Sequence, residues 1–185
     1  MRPSLLVVLS CTLLVAACGS TPATQTTQTP DMIAQANKVA VLSVAVAPEV
    51  KYVQAVLTPK KGGTAQTLTA APADGTAIFQ VSGVSAAEYV AVVSAYDDAD
   101  RAVMLYDGTG TVALKAGRAT AFPALNRVTA TVIVNATPTL EVTATYSATL
   151  GSATQPMTVT DGVARTTFAT VPTARGLTVT VTGTT

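Results

Sequence analysis

Lys38-Val39 returns 89 residues later as Arg127-Val128, and the same offset carries Val53, Ala55 and Leu57 onto Val142, Ala144 and Tyr146. Gly62 falls on Gly151, Gln66 on Gln155, Leu68-Thr69 on Met157-Thr158, and Phe79 on Phe168. Small shifts bring Asp74-Gly75 onto Asp161-Gly162, and Tyr89, Ala91 and Val93 onto Leu177, Val179 and Val181. Self-similarity held in one order marks a structural unit used twice. It constrains the fold more than any single motif, because one backbone plan must suit both copies.

Both copies alternate with a period of two. Val53, Ala55 and Leu57 alternate with Tyr52, Gln54 and Val56. Leu140, Val142, Ala144 and Tyr146 alternate with Glu141, Thr143 and Thr145, and Leu177, Val179 and Val181 with Thr178, Thr180 and Thr182. That pattern suits antiparallel strands with one buried and one solvated face. Thr, Val and Ala dominate the chain beyond its first residues, and of these Thr and Val are β-branched and fit a pleated surface. Turn signals separate the runs at Lys61-Gly62-Gly63, Asp74-Gly75, Asp97-Asp98, Asp107-Gly108 and Asp161-Gly162. Helical periodicity is confined to the opening segment. The expected fold is all-β: two tandem small antiparallel β-sandwich modules, residues 38–125 and 126–185, the second shortened.

The first copy continues with expected strands at 102–106, 111–115 and 119–125, which the second lacks. Three arrangements stay open for the second copy. It forms a minimal sandwich, it packs on the first copy for extra burial, or its last strand, 177–182, offers an open edge that another chain completes.

A family resemblance sharpens the fold expectation. Val84, Tyr89, Val93, Ala95 and Lys115-Ala116-Gly117, with Val171-Pro172 and Gly176-Leu177 in the second copy, are similar to the pattern of transthyretin-like and carboxypeptidase-regulatory-like modules. These belong to the wider immunoglobulin-like β-sandwiches. Glu88 stands where the pattern has Gly, which unsettles the turn before that strand. The resemblance implies fold and turn geometry; it implies no activity.

The opening segment has its own logic. Arg2 precedes an apolar run over 5–15 that is broken only by Ser10, Cys11 and Thr12. Its length suits the apolar region of a signal peptide and falls short of the ~20 residues needed to span a bilayer. The run closes on Val15-Ala16-Ala17-Cys18, which resembles the lipobox of bacterial lipoproteins. The resemblance implies that residues 1–17 are removed as a signal peptide and that the Cys18 thiol carries diacylglycerol, with further acylation (commonly palmitate) of the new amino terminus. Several acyl chains, at ~0.8 kcal/mol per buried methylene, make a lasting anchor. Gly19 in place of Asp points to the outer membrane or cell surface, so the expected partner is a membrane, met through the N-terminal lipid. Residues 18–37, rich in Thr, Gln and Pro, read as a flexible linker. Within it, Met32-Ile33 leaves open a short helix or a segment tucked onto the first module.

Chemistry is sparse. Charged residues make up 11% of the chain, aromatics 4%, and the net charge is +1. With no basic run and few stacking surfaces, nucleic acid is not an expected partner. The chain has no His, which excludes a Ser-His-Asp triad and His-ligated zinc. Gly108-Thr109-Gly110 lacks the rest of a phosphate-binding fingerprint. Asp97, Asp98, Asp100 and Asp107 are candidate calcium ligands, against the plainer reading of a solvated turn offset by Arg101. Tyr52, Tyr96 and Tyr106 are a candidate sugar-stacking face, against core filling. The expectation is a non-catalytic structural or adhesive role in the cell envelope, with no cofactor. The alternative is a binding module for glycan or peptide through the 96–107 hairpin region.

Overall fold

The computed structural model describes residues 29–84, 87–138 and 144–184. Cys18, the signal-peptide segment, most of the linker, and Leu140 and Val142 of the repeat lie outside the described residues. Among the described residues thirteen strands follow one short helix, α1 (Pro30–Asn37).

The first unit comprises β1 (Ala40–Ala45), β2 (Tyr52–Pro59), β3 (Gln66–Ala70), β4 (Thr76–Val81), β5 (Ala87–Tyr96), β6 (Met104–Leu114), β7 (Ala119–Ala121) and β8 (Asn126–Arg127). A three-stranded sheet, β4-β1-β7, faces a five-stranded one, β3-β2-β5-β6-β8. All ladders are antiparallel except β1–β7, where Val41 meets Ala119 in parallel. The alternation in the sequence sets the core: Leu42, Val53, Leu57, Phe79 and Val93 point between the sheets and are fully or almost fully buried.

The second unit comprises β9 (Thr129–Ala136), β10 (Thr145–Leu150), β11 (Ala153–Thr160), β12 (Val163–Pro172) and β13 (Val179–Thr184). Its pairings repeat those of the first. The ladders β1–β4, β2–β3 and β2–β5 return as β9–β12, β10–β11 and β10–β13. The registers are not identical. Ala55 pairs with Val93 in the first unit, whereas Ala148 pairs with Val181 in the second. Measured against the offset of 89, β10 has slid by an even number of residues, which keeps every side chain on its original face. The other difference is β11. Residues 153–157 pair with β10 and residues 158–160 with β12, so the five strands form one sheet, β13-β10-β11-β12-β9, bent over a small core around Phe168, Met157 and Leu150.

Two local expectations are revised, and the choice left open at Met32-Ile33 is resolved. Asp107-Gly108 is no turn: it lies within β6, which runs unbroken where two strands were expected. A Cβ on Gly108 would come within 3.0 Å of both Leu125 and Phe122, and one on Gly110 within 3.2 Å of Pro123. These glycines let the 122–125 segment pass close over the strand. Residues 30–37 are a helix, with Thr29 as N-cap, Pro30 in the first turn and Lys38 closing it in the left-handed conformation. Ala34 is fully buried, and Asp31 accepts from the Ala119 backbone N–H at 3.3 Å, so α1 is seated on the first unit. Finally, β8 extends the first unit's sheet through Arg127–Tyr106 pairing, which moves the crossing between units to Val128. Among the described residues no helix is long and apolar enough to cross a membrane.

Candidate functional site

The two units meet where the β5–β6 hairpin of the first approaches the 173–177 loop of the second. Asp97 donates its backbone N–H to the Val103 carbonyl and closes the hairpin, whose tip turns through Arg101 at a positive φ of 56°. Arg175 reaches this hairpin from the second unit. Its Nε donates to Asp97 Oδ2 at 2.7 Å, and its Nη2 donates to Asp97 Oδ1 at 3.2 Å and to Asp100 Oδ1 at 3.0 Å. The planar fork of a guanidinium suits two carboxylates better than an ammonium would.

A second polar group lies beside the first. Tyr106 OH and Arg127 Nη1 both donate to Glu49 Oε1, each at 2.7 Å, and the Arg127 guanidinium carbon sits 4.7 Å from the centre of the Tyr106 ring. Arg127 Nη2 also donates to the Thr173 carbonyl at 2.9 Å. Thr173 in turn donates its N–H to the Val128 carbonyl at 3.0 Å and its hydroxyl to the Met104 carbonyl. Thr173, Arg175 and Arg127 thus stitch the second unit to the end of the first unit's sheet.

The carboxylates respond to these partners. Hydrogen bonding from Arg175 holds the Asp97 carboxyl below its ordinary value. Asp100 is lowered by the Ala102 N–H and then by Arg175. Glu49 is lowered by the Tyr106 hydroxyl first, with Arg127 adding to it. Arg175 is raised by the two aspartates. All four groups are held in their charged forms, the opposite of what a general acid at neutral pH requires.

The candidate calcium residues are therefore not gathered around a common point. The guanidinium of Arg175 sits between Asp97 and Asp100, where a cation would have to lie. Asp98 is exposed and accepts from the Ala99 N–H at 2.7 Å, and Asp107 lies out along β6 opposite Ser94 and Asn126. Among the described residues no cluster of three or more acidic or thiol groups is placed to hold a metal ion. Arg101, expected to offset the acidic turn, instead donates to Gln54 at 3.2 Å.

The tyrosines also separate. Tyr96 pairs with Tyr52, their ring centres 6.3 Å apart, on the outer face of the five-stranded sheet. Tyr106 stands opposite the buried Ala95 and packs against the core edge, on the inner face. Tyr96 and Tyr106 cannot present one stacking platform. Nothing in the sequence near the hairpin announced Arg175; its only signal was a lone Arg in the turn that follows β12.

An open cleft of about 470 Å³ lies beside this junction in the second unit, lined by Arg127, Leu150, Gln155, Phe168, Val171 and Leu177 among others. Its one cationic group, Arg127, is already committed to Glu49 and Thr173. Comparison with protein-family models, with curated proteins and with solved structures finds no match.

Proposed function

We propose that this chain is a lipid-anchored cell-envelope protein with a non-catalytic structural or adhesive role. The observation that carries the reading is Val15-Ala16-Ala17-Cys18, set at the end of an apolar run that begins soon after Arg2. Acylation of Cys18 tethers the chain to a lipid surface, the cell membrane or the outer membrane, with Gly19 in place of Asp favouring the outer. The ion-paired junction supports the second half of the reading. Asp97 and Asp100 are held by Arg175 across the two β units, and Glu49 holds Arg127, which reaches Thr173 of the second unit, so none of the three is left as a free acid–base partner there. Two sheet units tied at this junction make a spacer or a presenting surface.

The test is metabolic labelling with a palmitate analogue in a bacterial host. The wild-type chain is expected to take up label and to partition with membranes, and Cys18→Ser to do neither. An unlabelled, freely soluble wild-type product would overturn the anchor. Glycan-array binding abolished by Tyr96→Ala or Tyr106→Ala would overturn the structural role in favour of a binding module.

A further inference from the structure

The joint between the two units is polar. Their apolar cores are separate clusters, one reaching Leu125 and the other starting at Val132, and neither draws a residue from the other unit. Among the described residues no strand of one unit packs broadly against a strand of the other. The hydrogen bonds and ion pairs that join the units fall into two groups with different surroundings. One group gathers about the chain crossing at Val128. Val128 donates its N–H to the Leu105 carbonyl at 2.9 Å and accepts from the Thr173 N–H at 3.0 Å. The Thr173 hydroxyl donates to the Met104 carbonyl, and Arg127 Nη2 donates to the Thr173 carbonyl, both in partly buried positions. Every acceptor in this group is a backbone carbonyl. The other group is Arg175 with Asp97 and Asp100, side chain to side chain between two loops. Arg175 and Asp100 are 52% and 51% exposed.

We infer that the first group is a pivot and the second a latch: the second unit swings as one body about Val128, and Arg175 holds it closed against the β5–β6 hairpin. Units joined without a large apolar interface are expected to move relative to one another. The backbone-directed bonds at Val128, Thr173 and Met104 are sheltered, and they keep the units attached at one point while the rest of the joint opens. The latch is of the opposite kind. Exposed ion pairs contribute little each and weaken as salt screens them. Arg175 therefore holds the closed position by a small margin, so that closed and open positions exchange readily. The swing has a consequence for the cleft beside the junction. Ala174 and Leu177 flank Arg175 in the chain and line that cleft, so the latch also sets its width. Arg101 takes no part: it is bonded to Gln54 within the first unit.

The test measures spin-label distances by double electron–electron resonance on the full-length chain with Cys11→Ser and Cys18→Ser. One label pair spans the joint, Thr67→Cys on β3 with Thr158→Cys on β11. A second lies within the first unit, Thr67→Cys with Ala113→Cys on β6. All three positions are exposed and outside the junction. With Arg175 intact and little salt, the joint-spanning pair is expected to show one main distance. A second distance is expected to grow at about 1 M salt, where screening reaches ~3 Å. Arg175→Ala is expected to show the second distance already at low salt. Its open-to-closed ratio should be raised roughly two- to thirtyfold, the range that two exposed pairs supply. Arg175→Lys should fall between. Arg101→Gln removes an exposed arginine of the same hairpin whose bond stays within the first unit, and it is expected to match the chain with Arg101 intact. The distance within the first unit is expected to stay constant throughout. A joint-spanning distance unmoved by Arg175→Ala, or unmoved by salt with Arg175 intact, would overturn the proposal. So would an equal response in Arg101→Gln, or a shift of the distance within the first unit, which marks loss of fold and no swing.

Discussion

Arg175 and Asp97 meet across 78 residues of sequence, Nε donating to Oδ2 at 2.7 Å. Asp97 is the better covered partner, its side chain 14% exposed against 52% for Arg175. The pair ties the β5–β6 hairpin to the loop after β12, so its removal should act on the junction before it acts on either core. Arg175→Ala is expected to lower the melting temperature only slightly, because exposed ion pairs contribute little. It is expected to accelerate amide exchange at 97–103 and 173–177 while leaving β1 and β2 unchanged. Arg175→Lys, which lacks the fork, should fall between the two. Unchanged exchange at both segments in Arg175→Ala would show that the contact does not hold the units together.

The same contact predicts a pH dependence. Asp97 and Asp100 have folded-state values below the ordinary 3.8, and Glu49 lies below 4.5. A depressed carboxyl adds stability that is complete above its unfolded value and is lost as pH falls through the folded one. Stability is therefore expected to be flat from neutrality to about pH 5 and to decline below roughly pH 4. Arg175→Ala removes the Arg175 part of that gain, so the variant and wild type should converge as acid is added. Urea midpoints measured down a pH series test this; a constant gap at every pH would refute it.

What the sequence made legible follows from the range of each interaction. Asp74-Gly75 and Asp161-Gly162 were readable as matching turns, and both adopt positive φ at the two central residues, 49° and 72° in one, 50° and 74° in the other. That requirement is local, and Asp-Gly meets it locally. Asp107-Gly108 carries the same signature but answers to a distant demand, the passage of Phe122 and Leu125 over the strand. Period-2 alternation revealed the sheets because facing is set residue by residue. The bend of β11 across both halves of its sheet, and the reach of Arg175 to Asp97, depend on partners far along the chain and leave no mark nearby. The helix at 30–37 had its cap and its Pro in view, yet eight residues show too little periodicity to outweigh a polar, linker-like composition.

The two cores differ in depth, and substitutions should show it. Among the described residues the first unit buries eighteen apolar side chains together and the second six. Phe79 and Phe168 occupy matching places, 2% and 3% exposed. Truncating a buried Phe to Ala costs ~3–5 kcal/mol. Phe168→Ala is expected to unfold the second unit while the first persists, giving an early, partial transition in urea. Phe79→Ala should leave the protein folded at low denaturant with a lowered main midpoint. A single unshifted transition in Phe168→Ala would contradict the small-core account.

Gly108 offers the sharpest separation of strand from turn. In a tight turn of the Asp-Gly kind the glycine holds a positive φ, and alanine there is costly through backbone strain. Gly108 has no such φ; its constraint is space, with Leu125 and Phe122 side-chain atoms 3.0 Å from the position of a Cβ. Gly108→Ala should therefore cost ~1–3 kcal/mol through overpacking. The cost should be relieved when a neighbour is trimmed, so Gly108→Ala with Leu125→Ala is expected to be less destabilised than the sum of the single changes. Gly162→Ala, at φ 74° with open space around it, should be destabilised with no neighbour able to relieve it. A double-mutant cycle by urea denaturation measures the coupling. Strict additivity at 108 and 125 would mean that the segment over β6 does not pack as closely as the strand requires.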